Sequence, residues 1–158
     1  MRALPWFLLS LAVVILDHIA KWLASATLSY GVPVELLPVL DLTLLHNRGA
    51  AFSFLSDAGG WQRWFFIGIA IVMSAVISVW LYRTPREKRW LSASLALILG
   101  GALGNLIDRV IQGYVVDFIS VHWGPHYFPA FNVADSAITV GAIMMAIDVV
   151  FLDKEHAE

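Results

Sequence analysis

The sequence contains no cysteine. That excludes disulfides, thiolate zinc sites and iron–sulfur ligation, and it leaves the redox compartment undetermined. Charge is also scarce: Asp, Glu, Lys and Arg together make up 14% of the 158 residues, and the formal net charge is −2. With no basic excess there is no field to hold nucleic acid, so that class of partner is excluded. Gly/Ser linkers, repeats and low-complexity tracts are missing as well, so residues 1–158 are expected to form a single membrane-embedded domain. What remains is apolar. Hydrophobic residues make up 59% of the chain and the mean hydropathy is +0.76, too apolar for a soluble domain of this size, so the expected solvent is the bilayer.

The apolar residues fall into four blocks. Nineteen uncharged residues separate Arg63 from Arg83, and eighteen separate Arg89 from Asp108, which matches the roughly 20 residues that cross about 30 Å of hydrocarbon. The first block, Ala3 to Leu16, reaches spanning length only by continuing past Asp17 and Lys21. The last, Ser136 to Ile147, needs the residues on one side or the other. The predicted spans are 4–24, 62–82, 90–110 and 132–152. A cleavable secretory signal ending near Ala24-Ser25-Ala26 is an alternative for the first block; three further apolar blocks make an uncleaved helix the simpler reading.

The loop 83–89 carries four basic residues and one acidic residue. The positive-inside rule therefore places it in the cytoplasm, in agreement with Arg2 and Lys154 near the termini. Both termini are then cytoplasmic, and segments 25–61 and 111–131 face outward. Leu40, Leu42 and Leu44 alternate with Asp41 and Thr43, which predicts a short strand and a small sheet at the outer interface. Trp123, Tyr127 and Phe128 suit the headgroup level, so the second outward segment is expected to rest on the membrane.

On this topology Asp17, Asp108, Asp117 and Asp135 share the outer side. An acid within a span costs about 2.5–3.5 kcal/mol on insertion scales, so each one calls for a partner or a function. Asp17 and Lys21 are four apart on a helix, the spacing of a structural ion pair, with an auxiliary role at the site as the alternative. Arg109 complements the negative end of the third helix and can cap its carbonyls. Gly100 and Gly104 form a Gly-x-x-x-Gly step that indicates close helix packing, with Asn105 beside it. Asn132 and Asp135 have the spacing of an N-cap and a favourable first-turn acid. Asp117, taken alone, reads first as an ordinary polar loop residue.

Two carboxylates in a partly dry site can share one proton, so that one accepts a proton from water while the other donates to a carbonyl. Other catalytic arrangements fit less well. His122 and His126 have the i, i+4 spacing of zinc ligands, but Gly124-Pro125 breaks any helix that would align them. There is no Gly-x-Ser-x-Gly elbow, and no serine pairs naturally with Lys21. Neither a metal nor a cofactor is expected.

Five ordered segments, Asp17-His18-Ile19-Ala20-Lys21, Asn47-Arg48-Gly49-Ala50-Ala51-Phe52, Gly100 through Arg109, Val116-Asp117-Phe118 and Phe131-Asn132-Val133-Ala134-Asp135, resemble lipoprotein signal peptidase, also called signal peptidase II. The resemblance implies an aspartyl endopeptidase of the bacterial inner membrane. It would cleave lipid-modified prolipoproteins on the amino side of a diacylglyceryl cysteine, near the outer leaflet. It further implies a catalytic dyad of Asp117 and Asp135, supported by Asn47, Gly49, Asn105, Asp108, Arg109, Asn132 and Ala134, and by Asp17 and Lys21. Residues 47–52 would grip the extended peptide, with Gly49, Ala50 and Ala51 permitting close backbone approach. His18 and Ala20 stand where the family usually has Gln and Thr. The expected fold is an all-α integral membrane protein with four transmembrane helices, a small β-sheet or cradle, and a short helix at the outer interface, acting as a monomer among membrane lipids.

Two readings compete with this one. A small transporter or proton-conducting protein would also place acids within spans. A membrane-anchor or assembly protein would use the acids as ion pairs and caps and the glycines as a docking face.

Overall fold

The computed structural model describes residues 3–49 and 60–152. In chain order the elements are α1 (Leu4–Thr27), β1 (Val34–Leu37), β2 (Leu40–Asn47), α2 (Trp61–Arg83), α3 (Arg89–Ile111), β3 (Val115–Trp123), β4 (His126–Tyr127) and α4 (Val133–Ile147), the last continued by a π-helical turn, Asp148–Leu152. Among the described residues four helices are long and apolar enough to cross a membrane: α1, α2, α3, and α4 with its extension to Phe151.

α1 starts with a proline in its first turn, where the missing N–H costs nothing. It runs without a break past Asp17 and Lys21, both of which are buried. Those two residues pack inside the bundle. α3 is the central helix and packs against α4, α1 and α2. Its glycines are what let the neighbouring backbones approach. A Cβ at Gly100 would meet Val13 Cβ at 2.7 Å and Ser10 O at 2.8 Å; one at Gly101 would collide with the Ala134 carbonyl; one at Gly104 would sit 2.8 Å from Asp17 Oδ2. In lipid, where apolar side chains gain nothing by leaving water, such close packing is what holds helices together.

The strands form one antiparallel sheet in the order β1-β2-β3-β4. It lies at the end of the bundle where α1 and α3 finish and α2 and α4 begin, opposite the 83–89 loop. The strand expected around Leu40–Leu44 is β2. In the second outward segment β3 pairs along β2, with Leu45 opposite Asp117 and Asn47 opposite Val115. Val115, Val116 and Phe118 are buried there, and Val116 and Phe118 pack with Ala24 and Leu44 into a small apolar cluster between sheet and helices. Trp123, 80% exposed, does project from the hairpin tip as an interfacial aromatic would. Within the described parts of the outward segments there is no short helix. Ala50, Ala51 and Phe52 of the peptide-gripping segment lie outside the described residues, as do Arg2 and Lys154.

Candidate active site

Asn132 is the hinge of the arrangement. It is the N-cap of α4, fully buried, and its Oδ1 accepts the Asp135 N–H at 2.9 Å, the capping geometry that its spacing implies. Its Nδ2 meanwhile donates to Asp117 Oδ1 at 2.8 Å, with Asn105 Oδ1 and the Val116 carbonyl each 3.3 Å away. The cap and the candidate dyad are therefore one structure. The Asp135 backbone is held by the cap while its carboxylate turns toward Asn105, whose Nδ2 donates to Oδ1 at 2.7 Å. Asp117 is fixed on its other oxygen by Asn47 Nδ2 at 3.0 Å, and Asn47 Oδ1 in turn receives the Gly49 N–H at 3.0 Å.

Asp117 is buried in β3. Burial raises its carboxyl to about 7 from an ordinary 3.8; the nearby Asp135 charge adds to the rise, and the bonds from Asn47 and Asn132 and the Lys21 charge oppose it. A carboxyl placed so near neutrality can hold or release a proton at physiological pH.

Beneath the pair lies an ion cluster. Lys21 Nζ sits 2.7 Å from Asp17 Oδ2 and 2.8 Å from Asp108 Oδ2, and it donates to Asn105 Oδ1 at 3.0 Å. The i, i+4 pair anticipated for Asp17 and Lys21 is thus one half of a bridge between α1 and α3. Each acid also holds a backbone N–H. Asp17 Oδ1 accepts from Ala134 at 2.8 Å, in the first turn of α4, and Asp108 Oδ2 accepts from Val116 at 3.3 Å. A carboxylate at a helix N-terminus is favoured by the helix dipole, and here it docks α4 onto α1. Ala134 is fully buried against Gly104, and its methyl leaves no room for a larger side chain.

Arg109 behaves only partly as anticipated. Its Nη1 reaches the Asn105 carbonyl of its own helix at 3.4 Å, but its Nη2 donates to the Gly49 carbonyl at 3.3 Å, and the guanidinium lies 5.2 Å from the Phe66 ring centroid. The α3 terminus is capped instead by Arg63, which donates to the carbonyls of Arg109 at 2.9 Å and Val110 at 2.7 Å. In sequence Arg63 is a mere boundary charge, and only its place at the start of α2, beside the end of α3, could have suggested this.

Asn47, Gly49, Asn105, Arg109 and Asp135 line one end of a cavity of about 560 Å³. Phe128, Pro129, Ala130 and Phe131 form one wall of it, and Ile138, Thr139 and Val140 of α4 carry it outward. Val140 is half exposed, so the apolar end opens on the bundle's lateral surface. Of the candidate site residues read from the sequence, Asn47, Gly49, Asn105, Arg109 and Asp135 line the cavity; Asp117, Asn132, Asp108, Ala134, Asp17 and Lys21 are linked to them by hydrogen bonds and ion pairs, and Ser136, Thr139 and the 128–131 wall are added. His122 and His126 do not converge: His122 contacts Asp41 and Tyr127, whereas His126 pairs across the hairpin with Trp123.

The profile described as Signal peptidase (SPase) II matches residues 9–151. The chain is 56% identical over 155 residues to the lipoprotein signal peptidase of Acinetobacter baylyi, covering 98% of this chain and 87% of that protein. It is 54% identical over 157 residues to that of Ectopseudomonas mendocina, covering 98% and 93%. A bacterial membrane enzyme solved by the in meso method superposes with a TM-score of 0.84 at 32% identity, covering 98% of this chain and 92% of that one.

Proposed function

Because the chain belongs to the signal peptidase II family and is a bacterial multi-pass membrane protease acting on lipoproteins, we propose that it works as an aspartic endopeptidase with Asp117 and Asp135 as the catalytic pair. The observation that carries this reading is the single Asn132 side chain that holds the Asp117 carboxylate with its Nδ2 and the Asp135 backbone N–H with its Oδ1, beside a cavity that Asp135 lines. With one proton shared by the pair, the ionised carboxylate takes a proton from water as its oxygen attacks the scissile carbonyl, and the protonated partner donates to the carbonyl oxygen. Collapse of the tetrahedral intermediate breaks the C–N bond. As that bond breaks, the carboxyl that took the water proton gives it to the leaving nitrogen while the other carboxylate takes a proton from a hydroxyl of the intermediate, so the pair returns to its single-proton state. The titration belongs to the pair jointly.

The cavity explains how a lipidated precursor fits. Its polar end holds the peptide at Asn47, Gly49 and Arg109, and its apolar end runs along Ile138 and Val140 to the lipid-facing surface. A diacylglyceryl cysteine can enter sideways with its acyl chains still in the bilayer, so that cleavage falls on the amino side of that cysteine. Asn105, Asp108, Asn132, Ala134, Asp17 and Lys21 hold the two acids in place. The basic 83–89 loop supports a topology with both termini on the cytoplasmic side and the pair near the outer leaflet of the inner membrane. One chain carries the whole arrangement, consistent with a monomer.

The test is cleavage of a diacylglyceryl-modified precursor and its unlipidated twin in detergent. Wild type should cut only the lipidated form, and folded Asp117→Asn and Asp135→Asn should each lose about 10³-fold or more of the rate. Retained cleavage in both variants would remove the dyad from the mechanism.

A further inference from the structure

A second cluster of polar side chains lies in the sheet, away from the dyad. Asp41, in β2, is only 5% exposed. Its Oδ2 accepts the Tyr127 hydroxyl at 3.1 Å, with His122 Nε2 3.5 Å away. The His122 ring stacks on Tyr127 at 4.7 Å and 20°, and its Nδ1 lies 3.2 Å from the Gly124 carbonyl, to which it donates. Gly124, with φ +56°, takes the left-handed turn that lets β4 fold back. The hydrogen bond from Tyr127 to Asp41 raises the phenol above its ordinary value and so keeps its proton in place as a donor.

The residues immediately after Tyr127 give this cluster its meaning. Phe128 N–H donates to the Val121 carbonyl at 2.8 Å, and Phe131 N–H donates to the Ile119 carbonyl at 3.0 Å. Between these two points, residues 128–131 form the cavity wall and lead directly into Asn132. The wall is thus held at its far end by the Ile119 ladder and at its near end by the side chains around Asp41.

We propose that Asp41, His122 and Tyr127 form a clasp that sets the position of the 128–131 wall, making Asp41 and Tyr127 positioning residues for binding of the lipidated precursor. The inference rests on the reading of the cavity as the substrate site. The clasp touches neither acid of the dyad, so it acts on substrate binding and leaves the chemical step alone. Its geometry is anchored by backbone as well, since His122 N–H donates at 3.0 Å to the carbonyl of Val39, in the turn that leads into β2.

The experiment measures KM and kcat on a diacylglyceryl-modified precursor for wild type, Tyr127→Phe, Asp41→Asn and the double variant, with the thermal midpoint of each. Each single change should raise KM about three- to tenfold, the range of one net hydrogen bond, with kcat within about twofold. The double variant should be no worse than the weaker-binding single, because both changes act on the same bond, one by removing its donor and the other by replacing its charged acceptor with a neutral one. A lowered kcat with unchanged KM would mean a purely structural role and would overturn the clasp; so would fully additive losses. Tyr127→Phe removes one hydroxyl from a half-exposed side chain and carries the test alone if Asp41→Asn fails to fold. A wild-type enzyme that does not cut the lipidated precursor overturns the functional reading, and the clasp with it. One that cuts while the variants match it overturns the clasp only.

Discussion

Toward the 83–89 loop, α3 presents Leu91, Leu95, Ala96 and Leu99 to Ile77 and Leu81 of α2, with Trp6, Phe7 and Leu9 of α1 and Met145 of α4 around them. Beyond Gly100 the same helix faces Asp17, Lys21, Ala134 and Asn132, and presents Asn105 and Asp108 to them. The apolar end is held by contacts that are individually small and can be rearranged. At the polar end the groups are tied to a few specific partners, and removing one leaves others buried and unpaired. The helix is continuous, so the difference lies in its neighbours: the bundle's loop end can vary, whereas its sheet end tolerates little change.

The largest expected effect that separates the two ends is at Lys21. Lys21→Met leaves Asp17 and Asp108 facing each other across α1 and α3 without their shared cation. Breaking a buried pair by removing one partner costs about 3–5 kcal/mol, so the variant should unfold well below wild type in detergent and lose cleavage. Leu95→Ala, at a fully buried position in the apolar end, should cost about 2 kcal/mol or less, the low end of core truncations, because lipid removes the hydrophobic part of the penalty. Thermal unfolding of both variants decides the matter. If Leu95→Ala proved the more damaging, the contrast between the ends would be wrong.

The same contrast governs how much the sequence could reveal. The α2 and α3 spans were legible because long uncharged runs bounded by charged residues leave little alternative, and the Asn132 cap was legible because capping depends on local spacing. β3 was less so: Val115 to Trp123 is apolar on both faces around Asp117, since its first half is buried between sheet and helices, and the alternation that marks a half-exposed strand is absent. The Asp17–Lys21 pair was visible at i, i+4, but its third member, Asp108, comes from another helix and no local spacing announces it. That Asp117 and Asp135 approach one another came from family resemblance. The clasp at Asp41 had no signal of any kind, because a buried acid in an alternating strand reads as a solvent-facing residue.

An intermediate effect should appear in the pH dependence of stability. Asp117 lies in β3, outside the spans, with its carboxyl raised to about 7, mainly by burial. A folded-state value above the unfolded one means that the folded chain binds the proton more tightly. This group's contribution to stability is therefore full below about pH 4 and lost as pH rises through about 7, on the order of 1–3 kcal/mol. The remaining acids are common to wild type and Asp117→Asn, so the useful quantity is the difference between the two proteins. The wild-type thermal midpoint should fall relative to the variant's between about pH 5 and pH 8. Parallel curves would mean that Asp117 is solvated in the free enzyme and gains no proton on folding.

The smallest effect belongs to a polar bridge within the apolar half. Ser10 Oγ donates to the Ala96 carbonyl at 2.8 Å, with the Trp6 carbonyl of its own helix 3.2 Å away. Such interhelical bonds in membranes average about 0.6 kcal/mol, because a hydroxyl released from one carbonyl finds another nearby. For Ser10 the Trp6 carbonyl is that alternative. Ser10→Ala also keeps the small volume that Gly100 requires, since the Ser10 backbone lies where a Gly100 Cβ would go. The variant should therefore retain wild-type cleavage and lose no more than about 1 kcal/mol in thermal unfolding. A loss comparable to that of Lys21→Met would mean that the α1–α3 contact is set by hydrogen bonding along its whole length, and that the apolar end is as unforgiving as the site itself.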